Sequence, residues 1–244
     1  MNAACLIEYD GKKFLIDGIY DENNHQFSNL SANQWEDLKN GSGCFANIDY
    51  LLFTHEHGDH FSAQMTMEYI QYQKPRAIFM QKNGTNDLKI LAQKAMEKGI
   101  ACIMLDETFC KEVYFQPEKN IKIKAFHTAH LDNFYKDVEH FCYIIQFDEK
   151  KILITADADF MNEDFEAVKD VDLDIVFVNP FLYASKKGRD LIQNGPLHAR
   201  RVIVYHIPFL DDDEYGLRKM TEMKAENDGI NVKLFLERNE EVVW

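Results

Sequence analysis

The sequence is poor in the residues that loosen, staple or embed a chain. Its 244 residues include only 11 glycines and 5 prolines while 46% are apolar, a composition that argues against intrinsic disorder. No apolar run approaches the roughly 18 residues a bilayer span needs; the longest are short, such as Ile100–Leu105. The first residues show no basic start followed by an apolar stretch, so no secretion signal is expected and a cytoplasmic location is. Cysteine is scarce and unpatterned. Cys5, Cys44, Cys102, Cys110 and Cys142 are odd in number with no C-x-x-C pair, which excludes a disulfide framework and leaves free thiols in a reducing compartment. Cys102 and Cys142 lie in apolar strands and read as core packing. Basic residues are also short, 27 against 41 acidic ones for a net charge of −14. That balance disfavours nucleic acid or any long polyanion, because phosphate backbones are bound mainly by Lys and Arg.

A chain of this length can bury a sizeable core. It carries no repeat, low-complexity tract or Pro/Gly/Ser linker, so one domain spanning 1–244 is expected. Leu6–Tyr9 and Lys13–Ile16 read as strands joined by a hairpin at Asp10-Gly11. Ile48–Phe53 reads as a buried strand, and Phe61, Met65, Tyr69 and Tyr72 recur at helical spacing after it. Ala77–Met80, a helix from Asp87 to Lys98 stopped by Gly99, and the strand Ile100–Leu105 come next. Val113–Phe115, Ile121–Phe126, Phe141–Phe147 and Lys151–Thr155 read as consecutive strands. Then strands at Ile175–Val178, Arg201–Tyr205 and Val232–Leu236 alternate with helices near 163–169, 187–194 and 212–226. The acidic run Asp211–Glu214 fits the start of the last helix, where negative charge complements the dipole. One stretch breaks this rhythm. Ile19–Asn47 is polar, with one helix marked by a Ser31/Gln34 capping box, an apolar edge at Trp35 and Leu38, and Gly41 as stop. So long a connection is a functional lid or an excursion, with Trp35 free to anchor it to the core.

The sharpest feature is Thr54-His55-Glu56-His57-Gly58-Asp59-His60, directly after a strand. His55 and His57 are two apart, so in an extended segment their rings project to one side and can converge on a cation. Neutral imidazole is a good zinc ligand, and a carboxylate suits the harder side of the same ion. Gly58 permits a turn that lets Asp59 and His60 face a second cation.

The pattern T-H-x-H-x-D-H after a buried strand resembles the metal signature of the metallo-β-lactamase fold superfamily. The resemblance runs through the chain in order. Ile123–His130 resembles the motif that gives a further histidine, with His130 favoured over His127. Ile152–Ala158 resembles the strand that ends in Gly-Asp-Thr, giving Asp157, although Ala156 and Ala158 stand for Gly and Thr; Asp159 is a weaker candidate. Val202–Pro208 resembles the last motif and gives His206, while Asp17 and Thr54 match positions that support the ligands from behind. The family usually has one more strand before the segment matching Ala4–Tyr9, so the first sheet is expected to lack an edge strand or the chain to begin late.

The resemblance implies an α/β fold, a four-layer αββα sandwich of two mixed β-sheets flanked by helices. It implies one divalent ion on His55, His57 and His130 and another on Asp59, His60 and His206, with Asp157 bridging. Zinc is the expected metal, with manganese or iron as alternatives. Asp59 and Asp157 count as catalytic as well as ligating, since water held between the ions ionises near neutral pH and acts as nucleophile. The implied activity is metal-dependent hydrolysis of a small, anionic, ester-type substrate, a lactone or phosphodiester. Two other readings are weighed. A ribonuclease Z-type phosphodiesterase lacks support in the charge balance and in the missing His-Glu-Ala-Thr segment. Iron-dependent redox members of the flavin-linked kind carry Glu where His57 stands.

Three regions are candidates for choosing the substrate: 19–47; 131–139 with Asn133, Phe134 and Tyr135; and 179–189 with Tyr183, Ser185, Lys186, Lys187 and Arg189. The cations of the last suit an anion clamp or simply a solvated helix start. Of the remaining histidines, His25 and His198 read as surface residues, and His140 as supporting or packing.

Overall fold

The computed structural model describes residues 3–21, 28–106, 108, 112–163, 165–227 and 229–244. His25, Cys110 and the Asn133 side chain lie outside that set. The chain divides into two compact units, Ala3–Lys111 and Glu112–Trp244, each with its own mixed sheet and flanking helices.

In the first unit, Asp10 (φ 48°) and Gly11 (φ 70°) both take the left-handed conformation that a two-residue hairpin turn requires. They join β1 (Cys5–Tyr9) to β2 (Lys12–Ile16) in antiparallel register, Cys5 opposite Ile16. Three parallel strands continue the sheet, β3 (Tyr50–Leu52), β4 (Ala77–Gln81) and β5 (Ala101–Leu105). Consecutive residues of β3 and β4 are all buried, which is why these strands are continuous apolar runs rather than alternating ones. Helices α1 (Ala32–Asn40), α2 (Ala63–Tyr72) and α3 (Asn86–Glu97) bring Leu38, Tyr69, Leu88 and Leu91 onto Leu51, Phe53, Ile78 and Met80. The Asp49 carboxylate accepts from the Lys13 amide at 3.1 Å and pairs with Arg76 at 2.9 Å, fixing the hairpin against the start of β3.

The described part of the polar insertion is anchored. Ser31 and Gln34 form the reciprocal capping box, and Gly41 (φ 63°) ends α1. Leu38 and Trp35 pack into the core, and Gln73 after α2 donates to the Lys39 carbonyl at 2.9 Å. The apolar edge of α1 is thus used in packing, as expected of an anchor for the segment.

The second unit has a seven-stranded sheet in the order β12-β11-β10-β9-β8-β7-β6. Its strands are β6 (Glu112–Glu118), β7 (Ile121–Thr128), β8 (His140–Phe147), β9 (Lys150–Ile154), β10 (Leu173–Val178), β11 (Ala199–Val204) and β12 (Val232–Leu234). The pairs from β6 to β9 are antiparallel and those from β9 to β12 parallel. Hence β7, β9, β10 and β11 run the same way and end at one sheet edge. Helices α4 (Pro180–Ala184) and α5 (Lys186–Gln193) pack Leu182, Leu191 and Ile192 on Leu153, Val176 and Val178.

Three helix expectations change. Among the described residues of 163–169 the helix is a 3-10 turn at Glu166–Val168, preceded by Phe165, which sits left-handed (φ 52°) with its ring in the core. Helix α4 was not expected, although Asn179 before Pro180 is a cap-then-Pro signature; the Asn179 side chain accepts from the Leu182 amide at 2.8 Å. The last helix, α6 (Leu217–Asn227), starts later than the acidic run. Asp213 still serves it, accepting from the Leu217 and Arg218 amides at 2.7 and 3.1 Å.

Candidate metal centre

In the first unit the polypeptide leaves β3 and reaches Thr54, where a buried carboxylate organises the histidine loop. Asp17, at the end of β2, accepts the Thr54 amide on one oxygen at 2.8 Å. Its other oxygen takes the Thr54 hydroxyl at 2.7 Å and His60 Nδ1 at 2.9 Å. The Thr54 hydroxyl has one hydrogen, given to Asp17, so the 3.0 Å contact with His55 is a donation from His55 Nδ1. Both rings are thereby held as the tautomer that keeps Nε2 open as a donor to metal. His55 Nε2 lies 3.1 Å from His57 Nδ1. Two ligands bound tetrahedrally to one zinc at about 2.0–2.1 Å are roughly 3.3 Å apart, so this pair fits a shared ion. The turn at Gly58, closed by the His60 and Phe61 amides on the His57 carbonyl, brings Asp59 Oδ2 to 3.7 Å from His60 Nε2.

Two residues that the sequence reading passed over hold this loop. Gln81, the polar end of the otherwise apolar β4, is buried and donates to the Thr54 carbonyl at 2.8 Å. Glu56 accepts from the Thr85 amide at the start of α3 at 3.2 Å. A side chain on Gly84 would meet that carboxylate at 1.8 Å and Leu88 Cδ1 at 2.2 Å, so both side chains would have to shift to admit it.

In the second unit the candidates stand at the shared sheet edge. His130 lies just beyond β7, is bridged to Ala158, and gives its Nδ1–H to the Leu131 carbonyl, again leaving Nε2. Asp157 lies beyond β9 and His206 beyond β11. One oxygen of Asp157 lies 3.8 Å from His130 Nε2 and 3.6 Å from His206 Nε2. That carboxylate faces two imidazoles at once. The two alternative residues stand elsewhere. His127 lies inside β7, edge-on to Phe141, and the Asp159 carboxylate caps its own turn through Met161 N and Asn162 Nδ2 at 2.7 and 2.6 Å.

The donor set of imidazole and carboxylate fits divalent cations of the zinc or manganese kind. The backbone at these positions is strained. Asp17 (φ 48°), Ala156 (φ 43°) and His206 (φ 58°) are left-handed without being glycine, at a cost of about 1–2 kcal/mol each. The nearby thiols are inert: burial, then the Asp17 charge, push Cys5 up to about 12, and burial raises Cys142 against an opposing hydrogen bond from Thr128.

The residues expected to meet substrate fare differently. Tyr183, a candidate for choosing the substrate, is fully buried in the core of the second unit and presents no surface to one in this structure. Lys187 donates to the Met161 carbonyl and Arg189 to that of Ala184, both at 2.6 Å. Two cations of the supposed clamp thus bind backbone, and of the three only Lys186, at the start of α5, is exposed. Phe134 and Tyr135 are exposed, and the Tyr135 ring stands 5.3 Å from that of His130. Among the described residues no helix is long and apolar enough to cross a membrane.

No protein-family model and no curated protein matches the sequence. Solved structures do. A metallo hydrolase of the archaeon Ignicoccus hospitalis, Igni18, is 13% identical with a TM-score of 0.61, over 96% of this chain and 92% of its own. CmlA, a diiron β-hydroxylase from Streptomyces venezuelae, is 15% identical at TM-score 0.62, over 96% of this chain but 51% of its own. The metallo-β-lactamase fold protein YhfI from Bacillus subtilis is 13% identical at TM-score 0.55, over 96% and 88%. Proteins of differing chemistry share this backbone, and what the chain has in common with them is the metallo-β-lactamase fold.

Proposed function

We propose that this protein is a cytoplasmic metal-dependent hydrolase with a dinuclear centre. In this reading His55, His57 and His130 would hold one ion and Asp59, His60 and His206 the other, with Asp157 available to both. The observation that carries it is the single Asp157 oxygen set between His130 and His206 at 3.8 and 3.6 Å. A pair of divalent ions there, most simply zinc, would supply acidified water and polarise the bond to be cleaved.

The protein's own groups do the rest. Asp17 keeps His60 and, through Thr54, His55 in the ligating tautomer. Asp157 would supply negative charge at the centre, beside His130 and His206. The −14 net charge favours a small substrate over a long polyanion, while two divalent cations concentrated at one site suit an anionic group on it. A lactone or a phosphodiester of modest size meets both conditions.

The test is metal analysis of the purified protein and of Asp157→Ala, with hydrolysis of bis(p-nitrophenyl) phosphate and a panel of lactones. Two zinc or manganese ions per chain, with turnover lost in the variant, are expected. A single iron accompanied by oxygen uptake would overturn the reading in favour of redox chemistry.

A further inference from the structure

The bend that presents Asp157 is held against its own preference. Ala156 is left-handed at φ 43°, a conformation an alanine rarely takes, and it is completely buried. Two buried side chains grip the peptide units on either side of it. Asn179 Nδ2 donates to the Ala156 carbonyl at 2.8 Å. His140, at the start of β8, accepts the Asp157 amide on Nε2 at 3.2 Å.

The His140 ring is itself fixed. Because Nε2 accepts, Nδ1 carries the hydrogen and donates to Thr128 Oγ1 at 2.8 Å. Thr128 in turn contacts Cys142 Sγ at 3.6 Å, and that thiol donates to the Thr155 carbonyl at 3.5 Å. The chain of contacts therefore leaves Asp157, crosses β8 and β7, and returns to Thr155, just past the end of β9 and one residue before the strained alanine. Every side chain in it is buried to within 1%. A ring tied so at both nitrogens is a rigid strut, and its far end is the amide of the residue that faces His130 and His206.

We propose that His140 is a positioning residue for Asp157: a neutral histidine that holds the strained Ala156–Asp157 bend in the geometry for sharing a divalent cation. Asn179 is its counterpart on the carbonyl side. The inference rests on the metal-centre reading for its consequence, but its structural half stands apart from metal.

The two ring nitrogens can be tested separately. His140→Gln places an amide oxygen near the Nε2 position and keeps an acceptor for the Asp157 amide, while losing the Thr128 contact. His140→Asn keeps a donor near Nδ1 for Thr128 and abandons Asp157. The two variants are alike in polarity and remove similar packing, so a merely structural histidine would suffer from both equally. Hydrogen exchange at the Asp157 amide, measured without metal, is expected to quicken about tenfold or more in His140→Asn and much less in His140→Gln. Zinc affinity, by titration against a competing chelator, should fall about 10–100-fold in His140→Asn. Adding Ala156→Gly to that variant should recover about fivefold of the affinity, because glycine adopts the bend without cost.

Equal exchange in the two variants, or a glycine that gives the same increment with or without His140, would overturn the proposal. Should the parent protein bind no divalent ion, the metal reading fails, and the exchange comparison still decides whether His140 holds the bend.

Discussion

The two candidate ligand sets are built on opposite plans. In the first unit four candidate ligands come from the six residues His55–His60, and one buried carboxylate, Asp17, orients His60 directly and His55 through Thr54. In the second unit three ligands come from the ends of three strands, and the geometry depends on strained backbone at Ala156 and His206 held by distant side chains. The first set is ordered by what lies next to it. The second is ordered by a sheet and by a strut across it. A set of the first kind keeps its shape with little help from metal, whereas one of the second kind gains order when an ion draws its members together.

The most severe way to break this contrast is Asp17→Ala. It would strand the Thr54 amide, the Thr54 hydroxyl and His60 Nδ1 in a site with no exposure. Each buried unsatisfied group costs about 1–3 kcal/mol, so a loss of about 3–5 kcal/mol is expected, a large part of a typical domain's stability. Urea unfolding measures it. A variant as stable as the parent would show that the loop is ordered by something other than Asp17. Thr54→Val is gentler on folding and sharper on the site. It removes the hydroxyl that accepts His55 Nδ1 while keeping shape, and zinc affinity should drop about 10–100-fold with a smaller change in stability.

The contrast also explains which parts of the site were legible in the sequence. The loop set announced itself because its spacing is local: His55, His57, Asp59 and His60 are a pattern that can be seen without knowing the fold. His130, Asp157 and His206 carry no such spacing, and only the resemblance of their strand ends to family motifs singled them out. The strands were legible as apolar runs, and β8–β9 as a hairpin. What could not be read was dictated by tertiary contact. Phe165 sits left-handed with its ring in the core, just before the 3-10 turn. Tyr183 looks like a loop aromatic in sequence but belongs to α4 and is buried in the same cluster as Leu182. His140 and Asn179 gain meaning only when the sheet brings them to the Ala156 bend.

Hydrogen exchange can sharpen the difference in order directly. Without metal, the Thr54 and Phe61 amides, bonded to Asp17 and to the His57 carbonyl, should already exchange slowly. The Asp157 amide and the Leu131 amide, which donates to the Asp157 carbonyl, should exchange faster and slow by about tenfold when zinc is added. A larger zinc-induced change in the loop than at Asp157 would reverse the assignment of which set is pre-ordered.

The smallest expected effect concerns the other end of the second sheet. Asp174, early in β10, is buried, which raises its pKa, but hydrogen bonds from the Lys151 amide and Lys150, with the charges of Lys150 and Arg200, outweigh that and hold it below the ordinary carboxylate range. A carboxylate depressed in the folded state adds stability that is complete above its unfolded pKa of about 3.9 and is lost as pH falls through the lower folded value. Asp174→Asn should therefore be less stable than the parent by about 1–2 kcal/mol at pH 7. The gap should narrow as acid titrates the parent's carboxylate below about pH 4, a range read from urea midpoints at several pH values. Asparagine keeps an acceptor for the Lys151 amide, so a gap that shrinks isolates the charge. A gap unchanged with pH would mean that Asp174 braces β9 against β10 by its shape and backbone bond, leaving the strand ends that carry the ligands indifferent to the ion pairs at their base.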